Sequence, residues 1–350
     1  MNFKKALHYT LCLLGCLLLI VMILYFAISL YMKVNATREA GSDLIITEKM
    51  YSQEELDTAL QKAIVEERTK VSATDPLQIL KGYLQEGTTV VQSLREIYPN
   101  EIVLASGGRY HFIPIREDLA KNDYAEANMS ILESGEIQYF VDEALASYKG
   151  IDVSKHNGEI DWQQVAADGV EFAFIRVGNR GYGSEGKLLE DTMFDANMAG
   201  ALQAGVKVGV YFYTQAVNEQ EMQEEIDLVL RKISPYKVEC PVVIDVEKVS
   251  GADGRMNSIS VEERTRLTAM FCEQIEKAGY KPMIYQNMEM GAMMLDLGQL
   301  EQYEKWFAYY NQDFYYPYAY SVWQYSDKGT VAGIKGNVDL NISFKPLWEE

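Results

Sequence analysis

Histidine and cysteine are scarce in this 350-residue chain, which carries three of the first and four of the second. With only His8, His111 and His156 available, a zinc site or a Ser-His-Asp triad would have to be built from very little. No Cys-x-x-Cys pair occurs, and two of the cysteines, Cys12 and Cys16, sit in an apolar run, which excludes a disulfide scaffold. Cys240 and Cys272 remain, and two separate buried thiols are the default reading. Positive charge is also in deficit: 32 Lys+Arg stand against 51 Asp+Glu, a net charge of −19. Long-range repulsion then argues against DNA or RNA as a partner.

One thing is abundant at the start. Residues 6–32 read ALHYTLCLLGCLLLIVMILYFAISLYM, without a single Asp, Glu, Lys or Arg. This exceeds the roughly 20 residues that span a bilayer and the about 7 to 15 of a signal-peptide core. The expectation is residues 1–5 in the cytoplasm, a transmembrane helix over 6–32, and an extracellular remainder. Residues 33–87 are polar, with Leu56, Leu60, Ile64 and Val71 near one helical face, and predict a helical stalk. Residues 88–148 change to short apolar runs broken at Gly107-Gly108 and Ser134-Gly135, the pattern of a small α+β module.

From residue 149 to 350 short buried-type strands alternate with amphipathic helices, and toward the end the helices disappear. An α/β barrel with irregular, helix-poor last strands is predicted, with its site at the C-terminal ends of the strands. Asp152, Arg176, Tyr211, Tyr213, Asp245, Glu247 and Tyr285 fall at those ends. In Val-Val-Ile-Asp245-Val-Glu247 the two acids are at i and i+2, so they share one face of an otherwise apolar strand. Paired carboxylates suit glycosidic cleavage, in which one protonates the leaving oxygen and the other stays ionised. Aromatic residues near the strand ends, Tyr211, Tyr213, Tyr285, Trp306, Tyr309, Tyr310 and Trp323, would supply a sugar platform.

The pieces GIDVSKHNGEIDW, FAFIRVG, GVYFYT, VVIDVE, PMIYQN, KWFAYY, WQYSDKGTVAGI and VDLN, in this order, resemble the glycoside hydrolase family 25 lysozymes. The resemblance covers about residues 149–344 and leaves the N-terminal 148 outside. It implies an N-acetylmuramidase that cuts peptidoglycan glycan strands between N-acetylmuramic acid and N-acetylglucosamine, with no cofactor or metal. It implies Asp152, Asp245, Glu247 and Asp339 as the catalytic set. Gln324 of Trp-Gln-Tyr-Ser joins Arg176 and the aromatic residues as substrate-binding. One departure is Tyr211-Phe212-Tyr213, where many relatives read Tyr-His-Phe; it bears on sugar contact.

Strand geometry places the Cβ atoms of Asp245 and Glu247 about 6 to 7 Å apart, which does not choose between retention and inversion. The 2-acetamido group of the sugar favours a retaining, substrate-assisted route, with Glu247 as acid then base and ionised Asp245 beside the acetamido N–H. Three other readings compete. The acids could hold Mg²⁺ or Ca²⁺ in a metal-dependent hydrolase. The chain could be an inactive membrane-anchored peptidoglycan-binding protein. Gly181-Tyr182-Gly183-Ser184-Glu185-Gly186 matches G-x-G-x-x-G, although it follows the second strand and not the first.

Overall fold

The computed structural model describes residues 75–249, 254–311 and 313–349, with Thr58 and Lys62 isolated before them. The expected span at 6–32 and most of the expected stalk lie outside the described residues. Among the described residues no helix is long and apolar enough to cross a membrane.

Asp75–Glu350 forms one compact unit. Its first helix, α1 (Pro76–Gln85), starts on Pro76 with Asp75 accepting from the Leu77 N–H, so the stretch assigned to the end of the stalk belongs to this unit. Helix α2 (Val90–Ile97) is entered through a Thr89/Gln92 capping box. Strands β1 (Glu101–Ser106) and β2 (Arg109–Pro114) form a hairpin in register from Ser106↔Arg109. Its two turn residues, Gly107 and Gly108, have φ of 57° and 72°, as a two-residue hairpin of this hand requires. Strands β3 (Met129–Ile131), β4 (Ile137–Val141) and β5 (Ala144–Leu145) make a small antiparallel sheet around the turn at Gly135.

The barrel follows: β6 (Tyr148–Val153), β7 (Phe172–Arg180), a short β8 (Leu188–Glu190) on the edge of β7, β9 (Lys207–Tyr213), β10 (Val242–Asp245), β11 (Pro282–Asn287), β12 (Glu304–Ala308), β13 (Val322–Gly329) and β14 (Val338–Ser343). Eight of these close a ring through β6–β7 and β14–β6 pairing. All neighbours are parallel except β14, which runs antiparallel to both β13 and β6. Helices α3 (Trp162–Ala167), α4 (Phe194–Ala204), α5 (Glu219–Ile233) and α6 (Val261–Lys277) cover the first strands. After β11 only single turns at Met290–Met294 and Leu297–Leu300 appear, so the helix-poor end of the barrel is present.

The barrel interior is filled by Phe172, Phe174, Val243, Met283, Tyr285, Trp306 and Val322. Phe172 and Phe174 fit because Gly150 and Gly209 lie opposite: a Cβ on either would meet those rings at 2.2 and 2.6 Å. Cys240 lies in this inner cluster and Cys272 in the outer one under the helices, and both are free thiols.

The module is fastened to the loop between β12 and β13, whose Phe-Tyr-Tyr-Pro-Tyr-Ala-Tyr run carries four tyrosines. Tyr315 Oη accepts from the Val103 N–H at 2.6 Å, Tyr318 Oη accepts from the Arg116 N–H, and the Tyr124 ring stacks on Phe344 at 3.8 Å. Arg95 lies 3.7 Å over the Tyr315 ring and donates to Tyr309 Oη at 2.7 Å.

Candidate active site

Because β14 runs backwards, its first residues lie at the rim where the other strands finish. Asp339 is thereby paired in register with Asp152 near the end of β6. Asp245 ends β10, flanked in register by Tyr213 of β9 and Tyr285 of β11. Glu247 follows two residues on. The four acids expected to act together therefore share one rim, and their carboxyls interact: Glu247 is felt by Asp152 and Asp245, and Asp339 by Glu247.

Burial dominates their electrostatics. Asp152 is pushed up to about 6 by burial, partly offset by hydrogen bonds from Asn341, Gln324 and Asp339. Asp339 is pushed up to about 8 by burial and by the Asp152 charge, and donates its proton to Asp152. Asp245 is raised well above the carboxylate range by burial, then by Glu247 and Asp152, with Arg176 opposing. Glu247 is raised by burial and by Asp339, against a hydrogen bond with Tyr285. Four interacting carboxyls on one largely buried rim do not all ionise together, so the cluster holds protons above the ordinary carboxylate range. The neighbour that raises Glu247 is Asp339, whereas the pair Asp245/Glu247 raises Asp245 more.

Gln324 is the hub. It is buried, its Nε2 donates to Asp152 Oδ2 at 2.8 Å, and its Oε1 accepts from Tyr285 and Tyr310, each at 2.8 Å. The Tyr285 hydroxyl that donates to Gln324 also lowers Glu247 by hydrogen bonding, so Tyr285 stands between Glu247 and the Gln324–Asp152 pair. Asn341 completes the cradle: Nδ2 donates to Asp152 Oδ2 and Oδ1 accepts from Trp306 Nε1, both at 2.8 Å. Asp245 Oδ1, in contrast, is buried and accepts no hydrogen bond.

Arg176 points to the same space from β7, but Asp191, whose side chain is fully buried, holds it: Nε donates to Oδ2 at 2.7 Å. Its Nη2 is at ion-pair distance from that oxygen yet has no aligned hydrogen-bond partner. Tyr211 lies edge-on to Trp306 at 6.0 Å and senses Asp152, Asp245 and Asp339. Tyr213 Oη is 3.4 Å from Tyr182 Oη.

Three expected sugar contacts are corrected. Trp306 is 1% exposed, stacked on Phe174 at 4.5 Å in the barrel core, and offers no face to a ligand. Trp323 is fully buried and donates to the Tyr309 carbonyl. Tyr309 turns its hydroxyl to Arg95 of the module. The next residue, Tyr310, is the aromatic at the rim: it is 50% exposed, bonds Gln324, and senses Asp339, Asp152 and Glu247. Asn341 and Asp191 escaped the sequence reading. Asn341 carried a usable signal, since it lies two residues after Asp339 on one strand and shares its face.

The glycine-rich loop is not a phosphate cradle. The Gly183 and Ser184 carbonyls accept from Arg255 Nη1, and a Cβ on Gly186 would meet that guanidinium at 2.4 Å. In the acid cluster Asp152 Oδ2 already accepts from two amides. Among the described residues no group of three or more His, Cys, Asp or Glu is placed to hold a metal ion.

The family model described as glycosyl hydrolases family 25 matches residues 151–334. The Escherichia coli K12 protein known as uncharacterized protein YegX is 32% identical over 209 residues, which is 56% of this chain and 70% of that one. The autolytic lysozyme of Clostridium acetobutylicum is 27% identical over 198 residues, 55% of each chain. The modular autolysin LytC from Streptococcus pneumoniae superposes with a TM-score of 0.50 at 21% identity, over 69% of this chain and 57% of that one, a likeness of fold alone. This chain thus spans little more than half the length of the last two.

Proposed function

The chain belongs to the glycosyl hydrolases of family 25, and on that premise we propose that it is a peptidoglycan hydrolase, an N-acetylmuramidase cutting the β-1,4 bond between N-acetylmuramic acid and N-acetylglucosamine. The observation that carries this is the convergence of Asp152, Asp245, Glu247 and Asp339 on one rim, with Asp245 Oδ1 the buried carboxyl oxygen left without a donor. An acetamido N–H of the substrate is the donor that oxygen lacks. Glu247, whose carboxyl burial raises, gives its proton to the leaving oxygen. The acetamido carbonyl attacks the anomeric carbon; Asp245, raised by burial in the absence of substrate, is drawn back to its ionised form by the acetamido N–H and the positive oxazolinium that face it, and Glu247 then activates water, so configuration is retained. Asp152 and Asp339 hold the pair and sugar hydroxyls, with Tyr310 as the rim aromatic and Arg176 Nη2 as a further donor.

The apolar run at 6–32 supports a single membrane span with the enzyme outside, facing the wall. Mass spectrometry of fragments released from purified peptidoglycan tests the activity: reducing-end muramic acid is expected, and anhydro-muramic ends or cut stem peptides would assign another enzyme class. Protease treatment of intact cells should remove the barrel from an anchored protein, whereas recovery only of a soluble form beginning near Thr37 would sink the anchor.

A further inference from the structure

One cation, Arg176, acts on the acid cluster, and a second, Lys248, follows Glu247 in the chain; each is held by an acid outside the cluster. Arg176 is bound by Asp191. Lys248, the residue after Glu247, points from the chain toward the tip of the β1–β2 hairpin. There its Nζ donates to Glu289 Oε1 and, at 3.2 Å, to Ser106 Oγ, while Ser106 Oγ donates to the same Glu289 oxygen at 2.6 Å. Glu289 follows β11, so three parts of the chain far apart in sequence meet on this ammonium. Val249 is fixed as well: its N–H donates to Asn257 Oδ1 at 3.1 Å and its carbonyl accepts from Asn257 Nδ2 at 2.8 Å. The hairpin is rigidly seated, because Ile102 and Leu104 of β1 are buried in the core shared with the barrel.

We propose that Ser106 at the hairpin tip and Glu289 hold the Lys248 ammonium away from Glu247, so that the N-terminal module positions the charge that would otherwise ionise the proton donor. The inference rests on the hydrolase reading for the meaning of that proton. The groups facing Glu247 are otherwise acids and phenols: Asp245, Asp152, Asp339, Tyr213, Tyr285 and Tyr310, with Arg176 acting on Asp245. Burial would raise Glu289, but the Lys248 and Ser106 hydrogen bonds outweigh it and keep its carboxyl low, with His111 adding to the same effect. Glu289 is thus anionic across the working range and a steady partner for Lys248. A released ammonium would find an acid cluster next to it and stabilise the charged form of Glu247.

The test is a ¹³C NMR titration of glutamate side-chain carboxyls in the full chain, with the Glu247 resonance identified by its loss in Glu247→Gln. In Glu289→Gln the Glu247 midpoint should fall by about one pH unit, the shift expected when an opposite charge comes within a few ångströms. Ser106→Ala should move it in the same direction by less. Glu289→Gln combined with Lys248→Met should return it to the wild-type value, and the basic limb of kcat/KM should move in parallel. A midpoint unchanged in Glu289→Gln overturns the proposal, as does a fall that removing the ammonium does not restore. The titration needs no turnover, so a wild-type chain unable to cut peptidoglycan would sink the hydrolase reading and leave this inference to be decided separately.

Discussion

Asp152 and Asp339 are paired in register across the antiparallel seam that closes the barrel, and burial together with the Asp152 charge pushes the Asp339 carboxyl up to about 8. The seam places an acid from the first strand beside an acid from the last. Burial and mutual repulsion then keep the Asp339 proton bound up to about pH 8.

This has a consequence for stability. The folded chain binds a proton at Asp339 that the unfolded chain releases near pH 4, so stability falls as pH rises from about 4 to 8. Asp339→Asn keeps a donor toward Asp152 and removes the charge. It should unfold at a higher temperature than wild type at pH 8, by about 1 kcal/mol or more, and lose that advantage near pH 4. Turnover should slow. A variant with the same pH-dependence of unfolding as wild type would show that Asp339 does not hold its proton above the ordinary range in the folded chain.

The aromatic neighbours Tyr309 and Tyr310 separate packing from substrate contact. Tyr309→Phe deletes a hydroxyl that accepts from Arg95 at 2.7 Å and should cost about 1 kcal/mol of stability with KM unchanged. Tyr310→Ala removes the half-exposed ring at the rim and should raise KM about tenfold, the loss of roughly 1.4 kcal/mol of sugar contact, with unfolding nearly unchanged. The reverse pattern would return the platform to Tyr309.

Much of this site was legible because its chemistry is local. Asp245-Val246-Glu247 on an apolar strand announces two carboxyls on one face, and alternating strands and helices announce the rim they sit on. What the chain order hid was direction and depth. Nothing in Lys-Trp306-Phe or Val-Trp323-Gln distinguishes a ring that lines a groove from one buried in the barrel, as Trp306 is, or in the core outside it, as Trp323 is. Gln324 acquires its meaning from three partners on three other segments, and Arg95 from a loop more than two hundred residues away.

Arg95 makes that long-range fastening testable. Its guanidinium lies 3.7 Å over the Tyr315 ring and donates to the Val103 carbonyl and Tyr309 Oη. Arg95→Ala should destabilise the unit by about 2 to 3 kcal/mol, and Arg95→Lys should recover less than half, because an ammonium cannot stack and bridge together. Denaturant unfolding measures both. A lysine variant as stable as wild type would reduce the contact to simple charge.

The chemistry itself turns on Asp245 and Glu247. Glu247 must carry its proton for the first step, so kcat/KM should persist above the ordinary glutamate range and fall as Glu247 ionises. Glu247→Gln keeps the size of the side chain and the contact to Tyr285 but has no proton to give, and should lose about 10² to 10⁴ in kcat on peptidoglycan. Asp245→Asn replaces an acceptor for the acetamido N–H and an anion beside the oxazolinium with a neutral amide, and should lose about 10² or more. If the acetamido oxygen is the nucleophile, two displacements occur at the anomeric carbon and the first-formed product keeps its configuration. NMR of the reducing end before mutarotation reads this directly. Inverted product would mean that water attacks in a single displacement with Asp245 as its base, while an active Glu247→Gln enzyme would remove Glu247 from the role of proton donor altogether.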